Sequence, residues 1–339
     1  MSQSIVSDFC AFVARGDKSA VTSSFETMTG GDLPAGEVTI RVLFSSANFK
    51  DALALTPGSG VVREYPIVPG IDLAGEVLHS ESDEFEEGQL VLAHGYDLGT
   101  GVHGGYSEIA RVPHDWVVPL DGLDARESMI IGTAGFTAAL SVQALENHGV
   151  TPGSGPILVT GASGGVGSIS VDLLSSLGYE VVASTSKPAA RDLLKQIGAA
   201  EVIGRLPEDA EARIPALGGS RWAGVVDSAG GRSLAYALST TTYGGAVAAS
   251  GLTAGAKLET TVMPFILRGV GLQGIDSVKL DIESRRALWA RLGGEMRPKN
   301  LEAIARDHKV KDVLGVLSSI LDGTHSGRSV IEVSGGFPG

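Results

Sequence analysis

The sequence predicts an α/β protein, a doubly wound parallel sheet of six strands joined to a smaller β-barrel. Three observations predict it. Residues 156–187 read as one βαβ unit with a glycine-rich first turn. Short apolar runs then recur in a strand–helix rhythm as far as residue 275. Residues 1–120 instead show two-residue alternation cut by frequent turn signals.

Ile157–Thr160 is a β-branched and aliphatic run, the pattern of a buried parallel strand. It leads into Gly161-Ala-Ser-Gly-Gly-Val-Gly167 and then a helical pattern in which Ile169, Val171, Leu173, Leu174 and Leu177 are apolar. Gly178 ends that helix, and Glu180–Thr185 supplies the second strand. Glycines suit the first turn because the backbone turns sharply, a pyrophosphate approaches it, and helix and strand pack closely. The phosphates then meet N–H groups at the positive end of the helix. This predicts a dinucleotide site with Ser163, Gly164, Gly165 and Val166 on the pyrophosphate.

The end of the second strand selects the dinucleotide. A carboxylate there binds the ribose 2′-hydroxyl of NAD, whereas a cation accommodates the 2′-phosphate of NADP. Here the segment is Ser184-Thr185-Ser186-Lys187, with Arg191 a turn later and no acid before Asp192. Ser184, Ser186 and Lys187 are therefore expected on the 2′-phosphate, and NADPH is the expected cofactor.

The remaining strands of the sheet are expected at Glu201–Ile203, Gly224–Asp227, Gly245–Ser250 and Gly269–Ile275. Before the sheet, Asp124–His148 reads as two helices broken around Gly132-Thr133-Ala134-Gly135. In the N-terminal part, Val38, Ile40, Val42 and Phe44 alternate on one face of a strand. Helices at about 283–296 and 311–322 follow the sheet, and then a last strand, Ser329–Val333. That strand lies outside the six, so it is expected to return to the barrel. The division drawn from this is 1–121 with 293–339 as the barrel domain, and 122–292 as the nucleotide domain.

Composition excludes several classes. A net charge of −13 disfavours nucleic acid and anionic membranes as partners. Cys10 is the single cysteine, which excludes an intramolecular disulfide and a cysteine-rich zinc site. Residues 1–8 lack the basic segment of a secretory leader, and no uninterrupted apolar run spans a bilayer, so a cytoplasmic protein is expected.

The barrel, Gly132-Thr-Ala-Gly-Phe-Thr-Ala138 and Gly161–Gly167 together resemble the medium-chain dehydrogenase/reductase superfamily, quinone-reductase branch. Ser45-Ser-Ala-Asn-Phe-Lys-Asp-Ala-Leu53, Pro69-Gly-Ile-Asp-Leu-Ala-Gly75, Val262-Met-Pro-Phe-Ile-Leu-Arg268 and Gln273-Gly-Ile-Asp-Ser277 are similar to the acrylyl-CoA reductase (NADPH) group. The likeness implies a GroES-like barrel beside a Rossmann domain, a homodimer, and reduction of an activated C=C bond. It places Asn48, Phe49, Lys50 and Asp51 in the catalytic region. It places Thr133 and Thr137 near the nicotinamide ribose, Ser250, Gly251 and Leu252 along the nicotinamide, and Phe265, Ile266 and Ser277 in the opposite wall.

Zinc-dependent relatives use a Cys where this chain has Asn48, and Gly-His-Glu where it has Gly70-Ile71-Asp72, so no metal is expected. Without a Lewis acid, hydride addition to the β-carbon of an enoyl thioester such as acryloyl-CoA is the expected chemistry. Phe49 departs from the tyrosine usual in that group and has no proton to give. Tyr96, Tyr106 and Tyr243 are the alternative acids, and quinone reduction, which needs no acid at carbon, is the alternative activity. A third reading is an NADPH-binding protein with little turnover. From the residues alone, Asn48 also suits a turn after a strand, and Lys50–Asp51 a solvated pair starting a helix. Lys50, Arg63, Lys279, Arg285 and Arg286 are the cations available to a CoA, and Arg328 is placed to reach the site from the last strand.

Overall fold

The structure is a computed structural model and describes residues 6–209 and 211–338. The chain forms two compact units: Met1–Thr133 with Val278–Gly293 and Ala305–Gly339, and Ala134–Ser277 with Gly294–Ile304.

The first unit opens with strands β1 (Phe9–Gly16), β2 (Val21–Met28) and β3 (Val38–Ser46), then helix α1 (Phe49–Ala54). Strands β4 (Asp72–Ser80), β5 (Leu90–His94), β6 (Ile109–Val112) and β7 (Val117–Pro119) follow, and then α2 (Ala125–Asn147). In the second unit β8 (Ile157–Thr160), α3 (Gly165–Ser176), β9 (Val181–Ser184), α4 (Arg191–Gln196), β10 (Glu201–Ile203) and β11 (Trp222–Asp227) alternate. They continue as α5 (Gly231–Thr240), β12 (Thr241–Ala249), α6 (Met263–Arg268) and β13 (Gly271–Gly274). The chain ends with α7 (Ile282–Gly293), α8 (Leu301–Ile304), β14 (Ala305–Lys309), α9 (Val313–Leu321) and β15 (Arg328–Glu332).

All six strands expected of the parallel sheet are present, in the order β10-β9-β8-β11-β12-β13. This is the doubly wound order, with the reversal between β8 and β11. Every residue of β8 and β11 is buried, as strands covered on both faces must be. Each fully buried Val, Leu or Ile there contributes roughly 1.5–3 kcal/mol relative to exposure.

The last strand does return to the first unit. Its sheet has the order β14-β15-β3-β4-β5-β7, with β6 also on β3. β15 runs antiparallel to β3 with Val330 opposite Ser46, which sets Arg328 beside the end of β3. Two register shifts between β3 and β4 bend the pair and let the same sheet wrap an apolar core.

The units divide after Thr133, Ser277, Gly293 and Ile304 rather than at 121/122 and 292/293 alone, for local reasons. Gly132 breaks α2 with φ 51° and ψ −162°, and Thr133 hydrogen-bonds Asp72, so the start of α2 stays with the first unit. α7 stays there too, because its Arg285 and Trp289 bind His94. Residues 294–304 belong instead to the second unit. There the buried carboxylate of Asp172, on α3, accepts Asn300 N and Asn300 Nδ2, both at 2.8 Å. α2 is long and apolar enough to cross a membrane, yet its apolar stretch is 78% buried inside the protein and broken at Gly132.

Candidate active site

β3 ends in two buried serines and the chain then turns into α1, for which Asn48 is the N-cap with extended φ −127° and ψ 159°. Asp51, in the first turn, accepts the Asn48 N–H at 2.8 Å. It also accepts the Gly70 and Ile71 N–H groups at 3.1 and 2.8 Å. Asp51 is fully buried, so Lys50–Asp51 is not a solvated pair. Its carboxylate fastens α1 to the turn entering β4. Burial and the nearby Asp72 push its pKa up to about 7, against the pull of those N–H donors.

Asp72 is the centre of the cluster. It accepts hydrogen bonds from the Ser46 hydroxyl, from Asn48 Nδ2 at 2.8 Å, from Thr133 N at 3.1 Å and from the Thr133 hydroxyl. Arg328 lies 3.7 Å away, 2% exposed. Its Nε donates to Ile130 O at 2.8 Å, Nη1 to Asn48 Oδ1 at 3.1 Å and Ala47 O at 3.3 Å, and Nη2 to Ser46 Oγ at 2.7 Å and Met129 O at 3.4 Å. The whole donor fork is thus taken up by protein acceptors, and the guanidinium acts as a fixed buried charge. Asn48 is oriented without ambiguity: oxygen to Arg328, nitrogen to Asp72 and, at 3.2 Å, to Ser46 Oγ. Phe49, the next residue, is 43% exposed, and Lys50 is half-buried.

The three tyrosines are not acids at this cluster. Tyr106 is fully buried, its hydroxyl donates to Ser46 O at 3.1 Å, and burial holds its pKa well above the usual range. Tyr96 stacks on Trp116 at 5.0 Å, with Arg285 over its ring. Tyr243 is 83% exposed in the other unit. Among the cations considered for a CoA, Arg285 is fully buried, while Arg63 pairs with Asp97 and Arg286 with Glu84.

Sequence reasoning missed His94, at the end of β5. It is 1% exposed, receives Trp289 Nε1–H on Nε2 at 2.8 Å, and lies 3.2 Å from the Thr133 hydroxyl. Burial, then the Arg285 charge, hold its pKa well below 6.5. Between the folded value and 6.5 the unfolded chain therefore binds a proton that the folded one does not, and stability falls as pH falls. Asp51 acts in the opposite sense between about 4 and 7, so the comparison must be differential. Wild type is expected to lose more stability than His94→Asn from pH 7 to pH 5, by up to about 1.4 kcal/mol per pH unit. Denaturation at both pH values measures it, and parallel losses would contradict a neutral buried His94.

In the second unit, Gly164, Gly165 and Val166 are half-exposed at the start of α3, and Gly164 is its N-cap. Gly167 has to be glycine, because a Cβ there would stand 2.6 Å from Ala162 Cα. Ser163 is buried and receives the Thr185 hydroxyl at 2.9 Å. Ser184 is buried with its hydroxyl on Gly204 O, which leaves Ser186, exposed, and Lys187, half-buried, at the rim of β9. Burial lowers the Lys187 pKa. Arg191 donates to Val202 O at 2.5 Å. Thr137 donates to Ser277 Oγ at 2.8 Å, Ser250 and Gly251 are half-buried after β12, and Phe265 packs on the sheet core. Leu252 and Ile266 are 62% and 71% exposed. A glycine turn with accessible N–H groups and a hydroxyl–cation rim fits a phosphorylated dinucleotide.

A GroES-like unit built around β3 and a doubly wound unit with that turn define a nicotinamide-dependent oxidoreductase of two-part construction. Residues 34–122 match the alcohol dehydrogenase GroES-like domain, and residues 165–292 match the zinc-binding dehydrogenase family. The chain is 47% identical to acrylyl-CoA reductase AcuI of Ruegeria pomeroyi over 89% of its own length and 92% of that protein. It is 44% identical to YhdH of Escherichia coli K-12, solved with bound NADPH, at TM-score 0.91 over 95% of this chain and 99% of that one. It is 46% identical to yhfP of Bacillus subtilis, solved with NAD bound, at TM-score 0.93 over 96% and 99%. The chain belongs to the medium-chain dehydrogenase/reductase superfamily, in the group that contains acrylyl-CoA reductase AcuI.

The zinc in one family description finds no matching donor set. No group of three or more His, Cys, Asp or Glu among the described residues is arranged to hold a metal ion. Asp72 is enclosed by protein donors, with the Arg328 cation 3.7 Å away.

Proposed function

We propose that this protein is an NADPH-dependent reductase of α,β-unsaturated carbonyl compounds, acting on an acryloyl-CoA-like thioester without a metal. The observation that carries the reading is the Ser46–Asn48–Asp72–Arg328 cluster next to the exposed ring of Phe49. The cluster supplies a buried positive charge and an oriented amide where its zinc-using relatives place a metal. Acrylyl-CoA as the substrate of a relative at 47% identity supports the acyl class.

NADPH, when bound, supplies a hydride for the β-carbon. The 2′-phosphate falls to Ser186 and Lys187, and the pyrophosphate to the turn at Ser163–Val166. As the electron pair moves onto the thioester oxygen, Asn48 Nδ2 turns its longer 3.2 Å contact from Ser46 to that oxygen. Arg328, 3.1 Å from the amide oxygen, polarises the amide and makes Nδ2 a stronger donor. Phe49 packs on the acyl chain, and water delivers the proton to the α-carbon. Quinone reduction is the second reading, because Phe49 carries no proton and a quinone needs none at carbon.

NADPH oxidation by EDTA-treated protein, with acryloyl-CoA and 1,4-benzoquinone in parallel and NADH as control, tests these readings. Thioester turnover supports the first, quinone turnover alone the second, and loss of activity to EDTA refutes the metal-free site. Lys187→Glu is expected to raise the KM for NADPH by about 10–100-fold, as loss of one charge-assisted bond implies, with NADH little changed. An unchanged NADPH KM would remove Lys187 from the site. The reading includes a cytoplasmic setting, where NADPH is supplied and a lone thiol stays reduced. It also includes a homodimer. β13 is the outer strand of its sheet, and Val262, Ile266 and Leu267, in the segment that precedes it, are 64%, 71% and 54% exposed. Sedimentation of wild type and Ile266→Asp at micromolar concentration checks that pairing, and a wild-type monomer would refute it.

A further inference from the structure

His94 is a buried titratable side chain that reaches the cluster through the Thr133 hydroxyl and that the reaction above does not use. Its proton can be assigned from its neighbours. The indole of Trp289 only donates, and its Nε1 lies 2.8 Å from His94 Nε2, so Nε2 accepts and the neutral ring carries its proton on Nδ1. Nδ1 lies 3.2 Å from the Thr133 hydroxyl, whose own proton goes to Asp72. Thr133 therefore accepts from His94. Arg285 Nη1 donates to the His94 carbonyl at 3.1 Å and lies 3.0 Å from each ring nitrogen, a fixed charge that disfavours an imidazolium. The bonds run in one direction, from Trp289 to His94, Thr133 and Asp72, where they meet the Asn48 amide.

We infer that His94 is a positioning residue of the reductase, acting through Thr133 to fix the Asp72 carboxylate and hence the orientation of the Asn48 amide. Without a donor at Nδ1, the Thr133 hydroxyl loses the contact that fixes its rotamer, and its bond to Asp72 is no longer held in one direction. Asp72 then loses a fixed donor and Asn48 loses its fixed partner. An apolar residue would fill the same space and leave the donor chain without direction. The inference rests on the reading above that Asn48 meets the substrate oxygen.

The test is NADPH oxidation with acryloyl-CoA by wild type, His94→Leu, His94→Asn, Thr133→Val and the His94→Leu/Thr133→Val double variant. His94→Leu is expected to lower kcat about tenfold with the KM for NADPH within about twofold, the split that misorientation rather than lost cofactor binding gives. His94→Asn, whose amide nitrogen stands where Nδ1 stood, is expected to retain kcat within about threefold. The double variant is expected to be no slower than Thr133→Val alone. Trp289→Phe, which removes the donor to Nε2 and releases the tautomer, should move kcat in the same direction by less, and it serves if His94→Leu does not fold. Equal losses in His94→Asn and His94→Leu, or additive losses in the double variant, overturn the role of His94 alone. A wild type that oxidises NADPH with neither the thioester nor a quinone overturns the reductase reading and this role together.

Discussion

Arg328→Met is expected to cost about 3–5 kcal/mol of stability and to abolish turnover. The magnitude follows from what the substitution leaves behind. Methionine fills much of the space, but Asp72 then keeps a negative charge in a buried pocket with no cation near it. The carbonyls of Ile130, Ala47 and Met129 lose their donor, and so do Asn48 Oδ1 and Ser46 Oγ. Breaking one side of a buried charge pair costs far more than replacing the whole pair. Arg328→Lys is not expected to restore function, because one ammonium with three N–H bonds cannot reach acceptors spread around a planar fork. Urea denaturation read by fluorescence, with NADPH oxidation on the same samples, measures both effects. A loss below about 1 kcal/mol would mean that Asp72 does not need this charge.

Gly132→Ala is expected to lose activity by at least about tenfold and stability by about 2–5 kcal/mol. The backbone there has φ 51°, a region that costs a side chain roughly 1–2 kcal/mol. The larger contribution is steric. A Cβ would stand 2.5 Å from Asp72 Oδ2, 2.6 Å from Arg328 Nη2 and 3.0 Å from Ser46 Oγ. One methyl group thus reaches three members of the cluster at once, and each must shift from its partner. The same two assays apply. Full activity with only the backbone cost would show that the cluster tolerates displacement.

The strands and their order were legible because their signals are local. Short apolar runs in a strand–helix rhythm gave all six parallel strands, and Gly132 marked the break in α2. Asn48 and Arg328 were legible from their positions, the first after a strand and the second before one. The network joining them was not. Ser46 and Arg328 are 282 residues apart, Asn48 and Asp72 are 24 apart, and no periodicity encodes such a pairing. Asp72 entered the sequence argument only as a failed zinc ligand, yet it is where the hydrogen bonds converge. His94 closes an apolar strand and looks like any residue of β5. Its partners Arg285 and Trp289 lie on α7, beyond the entire parallel sheet. Asp51 shows the converse error, since a Lys-Asp dipeptide reads as surface charge until the fold supplies N–H groups from the turn before β4.

The place of β15 between β14 and β3 has a consequence for synthesis on the ribosome. Arg328 joins a serine made 282 residues earlier, roughly 15 to 55 s at ordinary elongation rates. For that interval the Phe44–Ser46 end of β3, which β6 does not cover, has an open edge exposed to pairing with other chains. The parallel sheet, by contrast, is drawn from residues 157–274 in one uninterrupted stretch and is ready to fold as it emerges. The nascent protein is thus expected to be able to hold its cofactor before it can use it, with reducing power gated by the arrival of a single late arginine.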